Sequence, residues 1–389
     1  MKTNYLSKAH FKVGGDTNMH IDSIDVYLTK NPLIHPWKTA YGEDFDIYSV
    51  LVSMTSDNDV GWAEACPLFA PTYSPECVWS VYYIIKEFLA PLLINKDFNT
   101  PEEVNDALSI YKGNPFAKSG IEMAWWTLEA KRKEVPLHEL LGGTYKKIPS
   151  GADFGVQDSI DTLIKLIDEA FKSNYPRVKL KVMRGWDIDM LVAVRSTFPK
   201  ETFHIDCNSS YSLDDLSIFK KIDKLGLAMI EQPFYYNDLI DHAKLARALD
   251  TPICLDESLN SVYAAEKALD LKACSYMNIK PGRLGGLSNS IKVIKMCKDS
   301  DVGCWVGSML ETAVGAGICI ELSSCDNMVY PGDLFPSSHL FYQDISLDEI
   351  ELSGPGYIFP SNKIGNPYLP DVRILNSRTI EMAHLGQNR

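Results

Sequence analysis

Lys181, Asp206, Glu231 and Asp256 follow one another at intervals of 25 residues, and Lys280 comes 24 residues later. Each lies within or just after a short apolar run: "RVKLKV", "TFHIDC", "LAMIEQP", "PICLDE" and "SYMNIKP". Segments of helical periodicity separate the runs. A constant interval of this size is one strand-helix unit, so the five charges fall at corresponding heights on successive parallel strands of an α/β fold. Three further runs, "IPSGADFG", "VGCWVGSM" and "NMVYPGD", bring the number to eight, which a TIM-type (β/α) barrel accommodates most economically. An open doubly wound sheet is the alternative, but no GxGxxG or GxxxxGK[ST] follows any of these strands.

Alternate side chains of a strand share a face, so Lys179 and Lys181 project together while Val178, Leu180 and Val182 face the other way. Taken alone, such a strand reads as half-exposed with a solvated lysine face. The ordered charges on the neighbouring runs argue instead for lysines that face inward, toward the C-terminal mouth where barrel active sites are built. A single strand-end carboxylate commonly caps the next helix. Three at equal spacing converge, and they repel one another unless a cation compensates. Asp206, Glu231 and Asp256 therefore read as metal ligands, and oxygen-only donors favour Mg²⁺, with Mn²⁺ as the alternative, over zinc. Asn208 and Glu257, beside them, either orient a ligand or a lysine or are ordinary polar loop residues.

Lys181 and Lys280 flank the acidic strands from opposite sides. A lysine close to a divalent cation in a partly buried site has its charged form disfavoured, which makes the neutral amine available as a base. Two such lysines across a metal suit removal of a proton next to a carboxylate, with the metal stabilising the enediolate. Lys179 tunes Lys181, contacts a substrate carboxylate or makes a structural salt bridge.

Composition narrows the partners. With 38 Lys and Arg against 51 Asp and Glu, the net charge of -13 opposes a phosphate backbone, and no basic run offers an exception. Nucleic acid is not an expected partner. No apolar run is long enough to span a bilayer, and the N-terminal residues lack the apolar stretch of a signal peptide, so a cytoplasmic protein without membrane contact is expected. The nine cysteines have no CxxC pairing and read as buried thiols of a reducing compartment.

Residues 1–18 read as an N-terminal extension. Residues 19–145 read as an α+β domain, beginning with a strand meander to about 65 and continuing with helices from about 75. Residues 146–344 hold the barrel, and 345–389 return to strand and turn chemistry and to the N-terminal domain.

"KLK", "DCN", "IEQP", "LDES" and "NIKPGRLGGL" resemble the barrel motifs of the enolase superfamily, in the muconate-lactonising subgroup with a lysine on each side. "HPWKTAYG", "GWAEACPLFAPTYSPE", "NPFAKSGIEMAWWTLEAK", "PLHELLGG" and "GSMLET" resemble its o-succinylbenzoate synthase and N-succinylamino acid racemase branch. The resemblance implies a (β/α)7β barrel under an N-terminal α+β capping domain, with Asp206, Glu231 and Asp256 on Mg²⁺ and Lys181 and Lys280 as acid/base residues. This family's lysine bases and ene-diolate are themselves a worked case of such catalysis. It further implies a small-molecule carboxylate substrate, is compatible with homo-oligomers, and places Trp37 and Tyr41 on loops closing over the barrel.

The first activity expected is the dehydration of o-succinylbenzoate synthase, in menaquinone synthesis; the alternative is racemisation of N-acylamino acids. A barrel that binds a carboxylate without turning it over is the remaining class. No histidine lies between His242 and His339, which disfavours branches with a histidine base there. Dipeptide epimerases that resemble this branch carry an Asp-x-Asp pair on the eighth strand, where this chain has only Asp333. Two residues depart from the branch pattern: Asp153, where it has a small hydroxyl residue, and Ser308, where it has glycine. An acid facing the substrate would repel a succinyl carboxylate, whereas one facing a lysine or the helix layer would leave specificity untouched.

Overall fold

The structure is a computed structural model, and it describes residues 18–386. The expected extension, residues 1–18, lies outside the described residues except for its last position. The chain opens with an antiparallel meander of strands Ser23–Thr39, Gly42–Ser56 and Asp59–Ala65. Alternate residues Ile24, Val26 and Leu28 of the first strand are fully buried, as period two requires of a one-faced sheet. The proline-punctuated "NPLIHPW" belongs to this strand: the register slips between Pro32 and Trp37, and the bulge absorbs prolines that cannot donate to the ladder. The last described strand, Thr379–Gly386, pairs with the first and completes a four-stranded sheet.

Helices cover this sheet. Helix Pro115–Arg132 starts with proline at its first position and is buried along most of its length, including Ile121, Ala124, Trp125 and Leu128. Its first free amides, of Phe116 and Ala117, donate to the Glu76 carboxylate at 2.9 and 3.0 Å.

The barrel strands are Ala152–Phe154, Val178–Lys181, Phe203–Asp206, Ile230–Glu231, Ile253–Leu255, Tyr276–Ile279 and Gly303–Val306, in sequential parallel order. Helices alternate with them, several opened by a serine cap such as Ser159 on Thr162 N and Ser261 on Ala264 N. The eighth run, 327–333, is irregular. It closes the barrel through parallel bridges of Met328 to Cys304 and Gly332 to Ser150. The result is a capping domain over a TIM-type barrel. Among the described residues no helix is long and apolar enough to cross a membrane.

Buried carboxylates of the capping domain terminate barrel helices. Glu64 accepts from Thr312 N, Thr312 Oγ1 and Gly315 N at 3.2, 2.6 and 3.1 Å, at the start of helix Ala313–Ser323. Glu122 accepts from Leu287 N and Ser288 N at 2.7 and 2.9 Å, at the start of helix Leu287–Asp299. Each satisfies backbone donors that a buried helix end would otherwise leave bare.

Candidate active site

Parallel pairing in register sets Lys181 beside Asp206 and Asp206 beside Glu231, one lateral row at the C-terminal ends of adjacent strands. Asp256 and Lys280 directly follow the next two strands. Asp206, Glu231 and Asp256 are all buried, and one carboxylate oxygen from each lies within 4.8 Å of the others. The residues after two of them hold strained backbone, with φ of 42° at Asn208, 61° at Ser209 and 35° at Gln232, as functional turns commonly do.

Lysines interleave the acids. Lys181 Nζ donates to Asp206 Oδ2 at 2.7 Å, and Lys280 Nζ donates to Asp256 Oδ2 at 3.0 Å. They approach the triad through different carboxylates and from opposite sides. Lys179 lies among Asp206 Oδ2, Glu231 Oε2 and Asp333 Oδ2 at 3.0, 2.9 and 3.2 Å. It is a buried ion-pair hub that also borders the cavity, and its charge works to lower the Lys181 pKa.

Without a cation, these contacts act on the lysines in the direction opposite to the one expected beside a cation. Burial works to lower the Lys181 pKa, but Asp206 and Asp153 outweigh it and hold the ammonium above its usual range. At Lys280 burial likewise opposes and Asp256 prevails. The protein's own charges therefore favour the ammonium form of both lysines. A divalent cation on the same carboxylates would act against both ammonium groups and restore the expected direction.

The acids divide in the same way. Burial opposes ionisation of Asp206, yet Lys179 and Lys181 hold its pKa well down. Glu231, pushed up to about 8 by burial with Asp206 and Asp256, is the acid with least compensation. Three buried carboxylates with oxygen-only donors, one of them short of positive charge, fit a hard divalent cation.

Asn208 and Glu257 meet behind the triad, Asn208 Nδ2 donating to Glu257 Oε1 at 3.3 Å, and Asn208 N donates to Asp206 Oδ1 at 2.9 Å. Burial, then Asp256 and Asp206, push the Glu257 carboxyl well up. Ser308 turns aside: its hydroxyl donates to Glu311 Oε2 at 2.7 Å and accepts from Leu310 N at 2.7 Å. Asp153, paired in register with Lys179, borders the cavity with Trp37, Tyr41 and Ser308.

Several residues here escaped sequence reasoning. Arg283 is fully buried and pairs with Asp256, and it donates to Tyr73 Oη at 2.8 Å. Tyr73, from the capping domain, donates to Asp256 Oδ1 at 3.0 Å and sets its ring 4.7 Å from Lys280 Nζ. Asn278 Nδ2 donates to Glu231 Oε1 at 2.7 Å. The amide of Gln232, in "IEQP", ties Asp256 N and Ser258 N to its Oε1 at 3.0 and 3.2 Å and so fixes the fifth strand's end. Asp333 pairs with buried Arg177 as well as Lys179, so it is not open to a substrate ammonium.

Similarity to known proteins agrees with this geometry. The mandelate racemase / muconate lactonizing enzyme N-terminal domain matches residues 23–142, and the enolase C-terminal domain-like family matches 162–365. The chain is 39% identical to an o-succinylbenzoate synthase of Geobacillus kaustophilus over 87% of this chain and 90% of that protein. It is 36% identical to an N-succinylamino acid racemase of Thermus thermophilus over 86% of this chain and 90% of that protein. A solved enolase-superfamily structure from Listeria innocua, 33% identical, superposes with a TM-score of 0.91 over 95% of this chain and all of that one.

Proposed function

The chain belongs to the enolase superfamily, in the mandelate racemase / muconate lactonizing enzyme family, and on that premise we propose that it removes a proton α to a substrate carboxylate. In this reading Lys181 and Lys280 carry protons on the two faces, and Asp206, Glu231 and Asp256 hold Mg²⁺. The observation that carries it is the pairing of the two lysines with different acids of one buried triad.

Mg²⁺, when bound, would supply positive charge to the substrate carboxylate and to the second negative charge that develops as the proton leaves. Lys181 takes the α-proton at Nζ and, in a dehydration, returns it to the departing hydroxyl on the same face. Lys280 then needs only its positive charge, on the opposite face. Burial of all three lysines excludes the water that would weaken these charges. Dehydration of a cyclohexadiene carboxylate to o-succinylbenzoate is the outcome supported by relatives of that name. Racemisation of an N-acylamino acid, in which each lysine exchanges protons, is the second reading. Asp153 bears on both, because an acid beside the cavity opposes a succinyl carboxylate, and only an N-acylamino acid whose acyl arm lacks that carboxylate escapes the repulsion.

Loss of absorbance when the Mg²⁺-loaded protein meets the cyclohexadiene precursor tests the first outcome, with Lys181→Ala as control. Exchange of the α-proton of N-acylamino acids in D₂O tests the second. A folded, Mg²⁺-loaded protein inactive in both would sink the proposal.

A further inference from the structure

Asp153 stands between two spaces. The inner cavity, about 30 Å³, is bordered by Lys179, Lys181, Lys280 and Asp153. An outer groove of about 900 Å³ shares Asp153, Trp37 and Phe335 with it. Both domains fix this position. The strand register holds Asp153 opposite Lys179, and two residues on, Gly155 admits the capping-domain backbone so closely that a Cβ would lie 2.7 Å from Lys38 O. The next amide, Val156 N, donates to that same oxygen at 3.2 Å.

The Asp153 side chain, which is shared by both spaces, has an open requirement. Its Oδ1 is shielded from solvent and accepts no hydrogen bond among the described residues. The neighbouring ammonium groups are already committed, Lys179 to Asp206, Glu231 and Asp333, and Lys181 to Asp206. A buried acceptor without a donor is unfavourable, so a ligand that brings a donor gains and one that brings a second acceptor loses. The groove beyond has the same sign: Glu43, Asp158 and Glu169 line it against one lysine, Lys38.

We propose that Asp153 selects the substrate's second arm, accepting a hydrogen bond from an amide or ammonium N–H on an arm that runs from the inner cavity into the groove, and disfavouring a second carboxylate. The proposal rests on the proton-abstraction reading and deepens its racemisation form. The substrate class is an N-acylamino acid whose acyl arm ends in a neutral or cationic nitrogen. The inner cavity has room for a few atoms, so the remainder of the arm occupies the groove, between the Leu33–Lys38 stretch and Phe335.

Three ligands of matched length separate the possibilities: N-(4-aminobutanoyl)-, N-succinamoyl- and N-succinyl-phenylalanine, whose arms end in ammonium, amide and carboxylate. Calorimetric titration of the Mg²⁺-loaded protein is expected to show the first two binding about tenfold more tightly than the third. Asp153→Ser should erase that ratio, and Asp153→Asn should keep the amide while losing the ammonium preference. Tighter binding of the succinyl ligand by the wild type, an unchanged ratio in Asp153→Ser, or no binding of any of the three would each overturn the proposal. The wild-type ratio alone decides if the variants do not fold. Exchange of the α-proton in D₂O is measured on the same ligands: failure there with a preserved binding ratio condemns the proton-abstraction reading, not the role of Asp153.

Discussion

Lys181 and Lys179 share one oxygen: Oδ2 of Asp206 lies 2.7 Å from the first ammonium and 3.0 Å from the second. A cation on Asp206 therefore acts on a proton carrier and on the buried ion-pair hub beneath it through a single carboxylate.

Cation loading should be visible as stability. Mg²⁺ at a hundredfold excess over its Kd is expected to stabilise the fold by about 2.7 kcal/mol, by mass action on the native state alone. Asp206→Asn, Glu231→Gln and Asp256→Asn should each remove this response. Differential scanning calorimetry with Mg²⁺ and with a chelator checks it; identical wild-type melting in both would exclude the triad as a cation site.

The two lysines should separate the two reactions. Lys181→Ala is expected to lower any proton abstraction by roughly 10²–10⁴-fold. Lys280→Arg keeps a positive charge but not an exchangeable amine near neutral pH, so it should abolish racemisation and leave dehydration within about tenfold. Equal loss of both activities in Lys280→Arg would show that Lys280 moves a proton in the dehydration too.

Neighbouring residues in "VGSM" should behave oppositely. A Cβ on Gly307 would stand 2.3 Å from Asn278 Oδ1, and Asn278 is the residue that holds Glu231 Oε1. Gly307→Ala is thus expected to weaken Mg²⁺ binding at least tenfold, the scale of losing a residue that orients a metal ligand. Ser308→Gly should cost about 1 kcal/mol through the lost bond to Glu311 and leave substrate preference unchanged. Titration calorimetry and thermal melts of the pair test the contrast.

Glu64 should give the fold a definite pH response. Burial pushes its carboxyl up to about 8, against the helix-terminal hydrogen bonds it accepts. Its folded pKa is raised above the unfolded value, so the stability it confers is fully present below the unfolded pKa of 4.5 and is lost as pH rises toward about 8. Relative to Glu64→Gln, the wild type should lose stability across that interval. Urea melts of both proteins over the same pH range measure the difference, and parallel curves would refute it.

The order of strands and the convergence of Lys181, Asp206, Glu231, Asp256 and Lys280 were legible because a barrel repeats one unit, so spacing along the chain becomes height around a ring. Arg283 had a readable signal in its place one helical turn after Lys280. Tyr73 had none, since its contact with Asp256 arises only when the two domains meet. The partner of Asp333 was not legible: Arg177, which neutralises it, reads in "RVKLKV" as an ordinary flanking cation. Which acid each ammonium touches was out of reach for a related reason, since strand register decides it.

Glu64 and Glu122 lend a further meaning to the border between the domains. Each is an outside part in a barrel helix, supplying from one folding unit the acceptors that the other's backbone amides require. The two domains are therefore not interchangeable modules. A chimera joining this barrel to the cap of a relative would have to carry both glutamates with it, or two helices would begin on bare donors.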